Sequence, residues 1–162
     1  MRLTRLIATV SALPLLVLAL AGACGGDDAL SLEDYMARMD AIDKDVDTRI
    51  DNVFEEELES ARAFAISFIE ATTYARDQYD AVSPPDEAKD AHEEIVSGIE
   101  QFRTALAAVA EDPEADVPAE DYESPFDDDL SAAEDRFNTA FCDIQKIADD
   151  NGIEADVGCD EE

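Results

Sequence analysis

His92 is the residue best suited to acid–base chemistry in this chain, because an imidazole titrates near neutral pH and the sequence contains no second histidine. The nearest acidic residues are Asp90, Glu93 and Glu94. A helical metal site built on Glu-x-x-His needs a glutamate three residues before the histidine, and Lys89 occupies that position. His92 also belongs to a row of apolar residues at helical spacing. We therefore expect a buried structural histidine and not a catalytic residue or a metal ligand.

The acidic stretch from Asp43 to Asp51 is the second candidate for chemistry, and it resembles the start of an EF-hand calcium loop. Acidic residues occupy loop positions 1, 3, 5 and 9, and an apolar residue occupies position 8. However, Thr48 stands where the tight turn needs glycine, and Phe54 stands where a bidentate glutamate belongs. The stretch also continues an apolar row at helical spacing. We expect an exposed acidic helix face, on which Asp43, Asp47 and Asp51 are the candidate calcium ligands.

The N-terminal segment has the three parts of an export signal. Arg2 and Arg5 form a basic start, an apolar run covers 13–21, and small residues precede Cys24. This arrangement resembles the signal peptide and lipobox of bacterial lipoproteins, although alanine stands three residues before the cysteine where that family prefers leucine. The resemblance implies that residues 1–23 are removed and that Cys24 carries diacylglycerol. It predicts a protein anchored by lipid to the cell membrane and facing outside the cytoplasm.

Two other interpretations of the apolar run have different consequences. A membrane-spanning helix needs about 20 apolar residues, and here the run is shorter and interrupted by Pro14. An ordinary secretory signal, cleaved without lipidation, also takes the chain out of the cytoplasm. If Cys24 is lipidated, residues 24–30 form a tether that extends about 20 Å. The sequence therefore predicts a domain that lies close to the bilayer.

Acidic residues dominate the composition. The chain has 42 Asp and Glu against 11 Lys and Arg, a formal net charge of −31, and two of the basic residues belong to the predicted signal peptide. Nucleic acid as a partner needs clustered positive charge, so this composition argues against it. The negative net charge also excludes electrostatic attraction to anionic lipid, so the acyl chains remain as the link to the membrane. The hydrophobic content of 46% is still enough for a packed core.

Apolar residues recur at helical spacing in four segments, so the sequence predicts an all-α fold, an up-and-down four-helix bundle over 31–151. Ser31 is the predicted N-cap of the first segment, and Pro84 and Pro85 separate the second from the third. The stretch 31–82 contains no glycine or proline, so it fits two helices or one. The alternative fold is one long N-terminal helix packed by two shorter ones. The four predicted apolar rows are Tyr35, Met39, Ile42, Val46 and Val53; Ala61, Ala65, Phe68, Thr72, Ala75, Tyr79 and Val82; Ala88, His92, Ile95, Ile99, Phe102, Leu106 and Val109; and Leu130, Ala133, Phe137, Ala140, Ile144 and Ile147.

Turn-forming residues predict how the segments are connected. Residues 112–126 are acidic, contain three prolines and lack periodicity, so we expect a long exposed loop that is mobile or functional. Stretches 83–86 and 124–127 each combine serine, proline and aspartate, and they predict caps for the helices that follow. The last helix is expected to end at Gly152, with Ile153 supplying the apolar contact that accompanies such an end.

The three cysteines leave one unpaired unless the lipoprotein resemblance is taken into account. With Cys24 used by the lipid, Cys142 and Cys159 remain as a pair, and disulfides persist outside the cytoplasm. Cys142 lies about 140° around its helix from Phe137 and so points away from the apolar row. A tail over 152–162 that turns back at the helix end would meet it there. Closing this loop should stabilise the fold by about 3 kcal/mol.

No catalytic or cofactor motif occurs in the sequence, which lacks a Gly-rich phosphate loop and a Gly-x-Ser-x-Gly elbow. We therefore predict a protein that is not an enzyme, needs no cofactor and serves as an interaction or structural module of the cell envelope. Its expected partners are the membrane, through the lipid anchor, and another protein. The alternative is a low-affinity calcium-binding protein, in which Asp40, Asp43, Asp47 and Asp51 share ions with the acidic loop.

Overall fold

The structure, a computed structural model, describes residues 29–159, which fold into four α-helices and two short 3-10 helices. This confirms the predicted all-α class and the bundle of four helices. The predicted signal peptide 1–23 and Cys24 lie outside the described residues. The elements in chain order are α1 (Leu32–Glu55), α2 (Ala61–Asp80), α3 (Lys89–Glu111), 3-10 helices at Pro113–Ala115 and Ala119–Asp121, and α4 (Asp127–Asp150).

The stretch 31–82 forms two helices, so the alternative with one long N-terminal helix is wrong. α1 ends at Glu55, the first of three consecutive glutamates. They place negative charge at the C-terminal end of the helix, where the helix dipole disfavours it. Ser60 then caps α2, because its Oγ accepts a hydrogen bond from a backbone N–H three residues later. The N–H of Ala61 donates to the carbonyl oxygen of Val117 at 2.8 Å. A distant loop therefore helps to fix where α2 begins.

The start of α1 is capped as predicted. The Oγ of Ser31 accepts a hydrogen bond from the N–H of Asp34 at 3.2 Å and donates to the Asp34 carboxylate at 2.6 Å. One residue earlier, the N–H of Leu30 donates to the carbonyl oxygen of Ser83 at 3.0 Å, and the Leu30 side chain packs against the core. Leu30 therefore packs as part of the bundle.

The predicted side-chain caps of α3 and α4 are wrong in detail. α3 begins at Lys89, after a turn closed by the N–H of Ala88, and no side chain caps it. α4 begins at Asp127, and the Oγ of Ser124 accepts a hydrogen bond from the N–H of Phe126 just before the helix. In both places a proline lies within the turn, and the helix begins a few residues after it. The Ser124 hydroxyl is used inside that turn and not at the first turn of α4.

The end of α4 follows the prediction. Gly152 has a φ of +68°, in the left-handed region that ends many helices, and the N–H of Ile153 donates to the carbonyl oxygen of Ala148 at 3.0 Å. The chain then turns back along the bundle. Val157 is fully buried, and its N–H donates to the side-chain oxygen of Gln145 at 3.3 Å. The tail is therefore part of the packed structure.

Helix packing follows chain order, with α1 on α2, α2 on α3 and α3 on α4, whereas α1 and α4 have no comparable contact. A large buried apolar group joins all four helices and the tail at the end where α1 begins. A smaller group joins α2, α3 and the loop at the opposite end. The larger group consists of Tyr35, Met36, Met39, Ile42, Val46, Ala75, Tyr79, Val82, Ala88, Ile95, Ile99, Ala140, Phe141, Ile144, Ala148 and Val157.

The loop 112–126 is acidic and largely exposed, as predicted, but it is also fastened to α2. The Nε of Arg62 donates to the Asp116 carboxylate at 2.6 Å, and its Nη2 donates to the carbonyl oxygen of Asp112 at 2.7 Å. The Tyr122 hydroxyl donates to the Asp112 carboxylate at 2.8 Å. Two 3-10 turns and this arginine therefore hold the loop over the end of the bundle.

Gly98 sets the closest approach between α3 and α4, since a Cβ added there would lie 2.9 Å from the Cβ of Phe137 and 3.0 Å from its backbone nitrogen. We expect Gly98→Ala to lower the free energy of unfolding by about 1–2 kcal/mol, because overpacking costs more than the gain in helix propensity. Urea unfolding measures this change. Ser97→Ala, at the neighbouring helical position, serves as the control and should be neutral or slightly stabilising. A Gly98→Ala protein as stable as this control would contradict the prediction.

Candidate functional site

A groove of about 430 Å³ opens between α1 and α4, the two helices that do not pack closely on each other. Residues from α1 and α4 form its walls, residues from α2 and α3 form its floor, and the tail contributes Gly158. The lining residues are Asp43, Val46, Asp47, Ile50 and Phe54 on α1; Phe68, Thr72 and Tyr79 on α2; Ile99 and Phe102 on α3; Glu134, Phe137, Asn138 and Phe141 on α4; and Gly158.

Aromatic rings form a continuous series through this region, with neighbouring ring centroids between 5.4 and 6.4 Å apart. Such separations fall in the range of favourable aromatic pairs. The arrangement gives the groove an apolar, aromatic interior. The series consists of Phe64, Phe54, Phe68, Phe102, Phe137, Phe141 and Tyr79.

Three of these phenylalanines were predicted to be core residues. Phe68, Phe102 and Phe137 occupy the expected apolar rows, but each is only half-buried because it borders the groove. Phe54, which stands at a calcium-loop position in the sequence, has a side chain that is 65% exposed. The sequence offers one signal of this exposure: Phe54 follows Val53, lies outside the predicted apolar row and stands near the end of the helix. Helical periodicity alone therefore assigns the phenylalanines of the groove to the core, although they border an open space.

Among residues 29–159, the charged residues that line the groove are all acidic. Asp43 and Asp47 lie on the α1 wall, and Glu134 lies on the α4 wall. Burial raises the pKa of the Tyr79 hydroxyl, and the negative charges of Asp43 and Asp47 raise it further. The carboxylate of Asp43 also lies against the tail, since a Cβ added to Gly158 would be 2.8 Å from its Oδ1. Negative potential therefore reaches the inner end of the groove, where Asp43 meets the tail at Gly158.

The candidate calcium ligands do not form a metal centre in the structure. Asp43, Asp47 and Asp51 follow one another along the continuous helix α1, and the chain there forms no loop. Asp40, the fourth member of the proposed set, accepts hydrogen bonds at 2.7 Å from Lys44. Among residues 29–159, no group of three or more His, Cys, Asp or Glu side chains could hold a metal ion.

We expect calcium and magnesium, at equal millimolar concentrations, to raise the melting temperature by the same amount, roughly 3–5 °C. The reason is that divalent cations screen the repulsion within a chain whose net charge is −31. Differential scanning calorimetry measures both shifts against a low-salt reference, with the calcium and magnesium samples at the same ionic strength as each other. A larger rise confined to calcium would contradict this prediction and would indicate a selective site.

His92 is enclosed between α1 and α2, where both ring nitrogens have partners. Its Nε2 lies 3.0 Å from the carbonyl oxygen of Tyr79, and its Nδ1 lies 3.0 Å from the hydroxyl of Tyr35. Because a carbonyl can only accept, Nε2 carries the proton, and Nδ1 accepts from the Tyr35 hydroxyl. Burial lowers the pKa of His92 below its ordinary value of 6.5. Neutral His92 therefore contributes fully to the free energy of unfolding above pH 6.5, and this contribution declines as the pH falls below 6.5.

Tyr35→Phe should lower the free energy of unfolding by about 1–3 kcal/mol, because it leaves the buried Nδ1 of His92 without a donor. Urea unfolding at a pH where His92 is neutral provides the measurement. Tyr74→Phe is a matched control, since the Tyr74 hydroxyl donates to Asp45 at the exposed surface and its loss should have little effect. If the two substitutions lower the free energy of unfolding equally, the buried hydrogen bond contributes no more to stability than the exposed one, and the prediction is contradicted.

Cys142 and Cys159 are joined by a disulfide in the structure, with their Cα atoms 4.6 Å apart. The side-chain nitrogen of Gln145 donates to the carbonyl oxygen of Ala155 at 3.0 Å, so the tail is also hydrogen-bonded to α4. Since Gly158 lines the groove and precedes Cys159, the disulfide holds one part of the groove wall in place.

Comparisons with protein-family models, with curated proteins and with solved structures found no match to this chain. None of the helices between residues 29 and 159 is both long enough and apolar enough to cross a membrane. The lipidation site predicted at Cys24 lies outside the described residues.

Proposed function

We propose that this chain is an exported lipoprotein, a helical module that acyl chains on Cys24 hold at the outer face of the cell membrane. We further propose that it acts by binding in the groove between α1 and α4 and that it is not an enzyme. The sequence of the first 24 residues supports the location. The single observation that carries the binding role is the open, aromatic-lined groove.

The surroundings of the groove support binding over catalysis. The hydroxyl of Thr72, which lines the groove, donates to the backbone carbonyl oxygen of Phe68 at 2.9 Å. The imidazole of His92 is engaged by Tyr35 and by the backbone of Tyr79. The side chains with the best chemistry for catalysis thus already have structural partners, while the apolar rings border open space.

Site-specific photo-crosslinking in intact cells tests this function. A photoreactive phenylalanine analogue at Phe54, which is 65% exposed and lines the groove, is compared with the same analogue at Ile66, which is 48% exposed and lies outside it. Membrane fractions are purified, and adducts are identified by intact mass and on gels. We expect an adduct that forms from position 54 and not from position 66. The same products from both positions, or none from either, would contradict a binding role for the groove.

A further inference from the structure

We infer that the groove binds an organic cation, an amine or quaternary ammonium attached to an apolar or aromatic body. This inference rests on the proposed binding function and names its ligand class. Three properties of the groove carry it: its size, the sign of its charges and the chemistry of its interior.

The size of the groove suits a small molecule. Its volume of about 430 Å³ falls within the range of about 300–1,000 Å³ that is typical of small-molecule sites. All four helices and the tail contribute to its lining, so a ligand would be surrounded on several sides. A long partner helix would instead need an extended apolar face, and the exposed apolar residues outside the groove, such as Ile66, are isolated.

The sign of the ligand charge follows from the two walls. Asp47 on α1 and Glu134 on α4 border the same space, together with Asp43 at the inner end. A cation placed between the walls is attracted by carboxylates on both sides, whereas an anion is repelled by both. Asp47 and Glu134 are exposed and Asp43 is half-buried, so salt partly screens each attraction and the cation gains from all three carboxylates together.

The interior of the groove selects a cation with an apolar body over a simple metal ion. Rings of Phe54, Phe68, Phe102 and Phe137 line it, and aromatic rings bind alkylammonium groups through their negative faces. A hydrated metal ion gains little from such rings and would leave them exposed. Four phenylalanine rings and three carboxylates line this one space, and that combination distinguishes the groove from general counterion accumulation.

Isothermal titration of the full-length lipidated protein in phosphatidylcholine nanodiscs tests the inference, with empty nanodiscs as the blank. The probe is phenylbutyltrimethylammonium, and its matched control is the neutral compound in which a carbon replaces the charged nitrogen. At an ionic strength of about 0.15 M we expect saturable binding of one cation per chain. The neutral compound should bind about tenfold more weakly, which corresponds to about 1.4 kcal/mol.

Matched variants separate the groove from the overall charge. Asp47→Asn with Glu134→Gln removes two charges from the walls, and Asp51→Asn with Asp135→Asn removes two from neighbouring positions that do not line the groove. We expect the first pair to weaken cation binding about tenfold and the second to change it less than about twofold. Thermal unfolding of each variant verifies that it is folded.

A second pair of variants tests the apolar half of the site. Phe54→Ala, at a side chain that is 65% exposed, should weaken binding of both the cation and its neutral analogue. Ile66→Ala, outside the groove, should change neither. Because both side chains are largely exposed, neither variant should compromise folding.

Each contrary result has a distinct meaning. Equal losses in both charge pairs would overturn the inference in favour of general counterion accumulation. Equal affinity for the cation and the neutral analogue would overturn the charge assignment and leave the binding function intact. Failure of both probes to bind would overturn the ligand class. The proposed function itself is decided separately, by the crosslinking comparison of positions 54 and 66.

Discussion

Replacing Cys24 with serine is expected to move essentially all of the protein from the membrane fraction to the soluble exported fraction, or to leave it as an uncleaved precursor. The acidic bundle has the wrong sign to bind anionic lipid, and no helix in the range 29–159 could cross a bilayer. Only acyl chains would then hold the protein, and two or more are needed for stable attachment. Cell fractionation with antibody detection measures the change.

The matched control replaces the other two cysteines, Cys142 and Cys159, and keeps Cys24. This variant should remain in the membrane fraction, because it retains the lipidated thiol. A cleaved Cys24→Ser protein that still sediments with membranes would contradict the anchor and would point to attachment through a partner. Mass spectrometry of the N-terminal peptide then shows whether the signal was removed.

The same double substitution, Cys142→Ser with Cys159→Ser, should lower the free energy of unfolding by about 3 kcal/mol. The two cysteines are 17 residues apart in sequence, and opening this loop restores freedom mainly to the unfolded chain. The helices should remain, since the core of Ile95, Ile99 and Ile144 does not depend on the bond. Urea unfolding and far-ultraviolet circular dichroism, with and without the substitutions, measure both effects.

A non-reducing peptide map of the exported protein provides the control for the disulfide itself. The peptide that contains Cys142 should be recovered linked to the one that contains Cys159. If both cysteines alkylate without reductant, the bond is absent from the exported protein and the predicted stability difference has no basis. Cys142 would then have to be considered as a free thiol.

The fold was predictable because local signals agree with one another. Ser31, Pro84 and Gly152 mark boundaries through chemistry that operates within a few residues, and the apolar rows identify the buried faces. The break between α1 and α2 was not predictable, because it depends on contacts such as the one between Ala61 and Val117, which come together only in the folded chain. The attachment of the loop 112–126 to α2 was not predictable for the same reason, since Arg62 is distant from the loop in sequence.

The groove was not predictable because periodicity reports which side of a helix is apolar and not what covers it. Phe68 and Phe102 look like core residues in sequence, and the structure leaves them half-buried because α1 and α4 do not close over them. The acidic residues Asp47 and Glu134 belong to segments remote in sequence, so their position on facing walls follows from the helix arrangement alone.

The hydrogen bond between Leu30 and Ser83 bears on the height of the groove above the bilayer. If acyl chains hold Cys24, the short tether keeps this end of the bundle within about 20 Å of the lipid surface. Phe54 lies near the other end of α1, about 36 Å farther along the helix at 1.5 Å per residue. Repulsion between the acidic bundle and anionic headgroups favours an upright orientation. The end of the groove at Phe54 would then stand several Debye lengths of about 8 Å from the headgroups. At that height it would sample solutes of the aqueous phase and not those concentrated at the membrane.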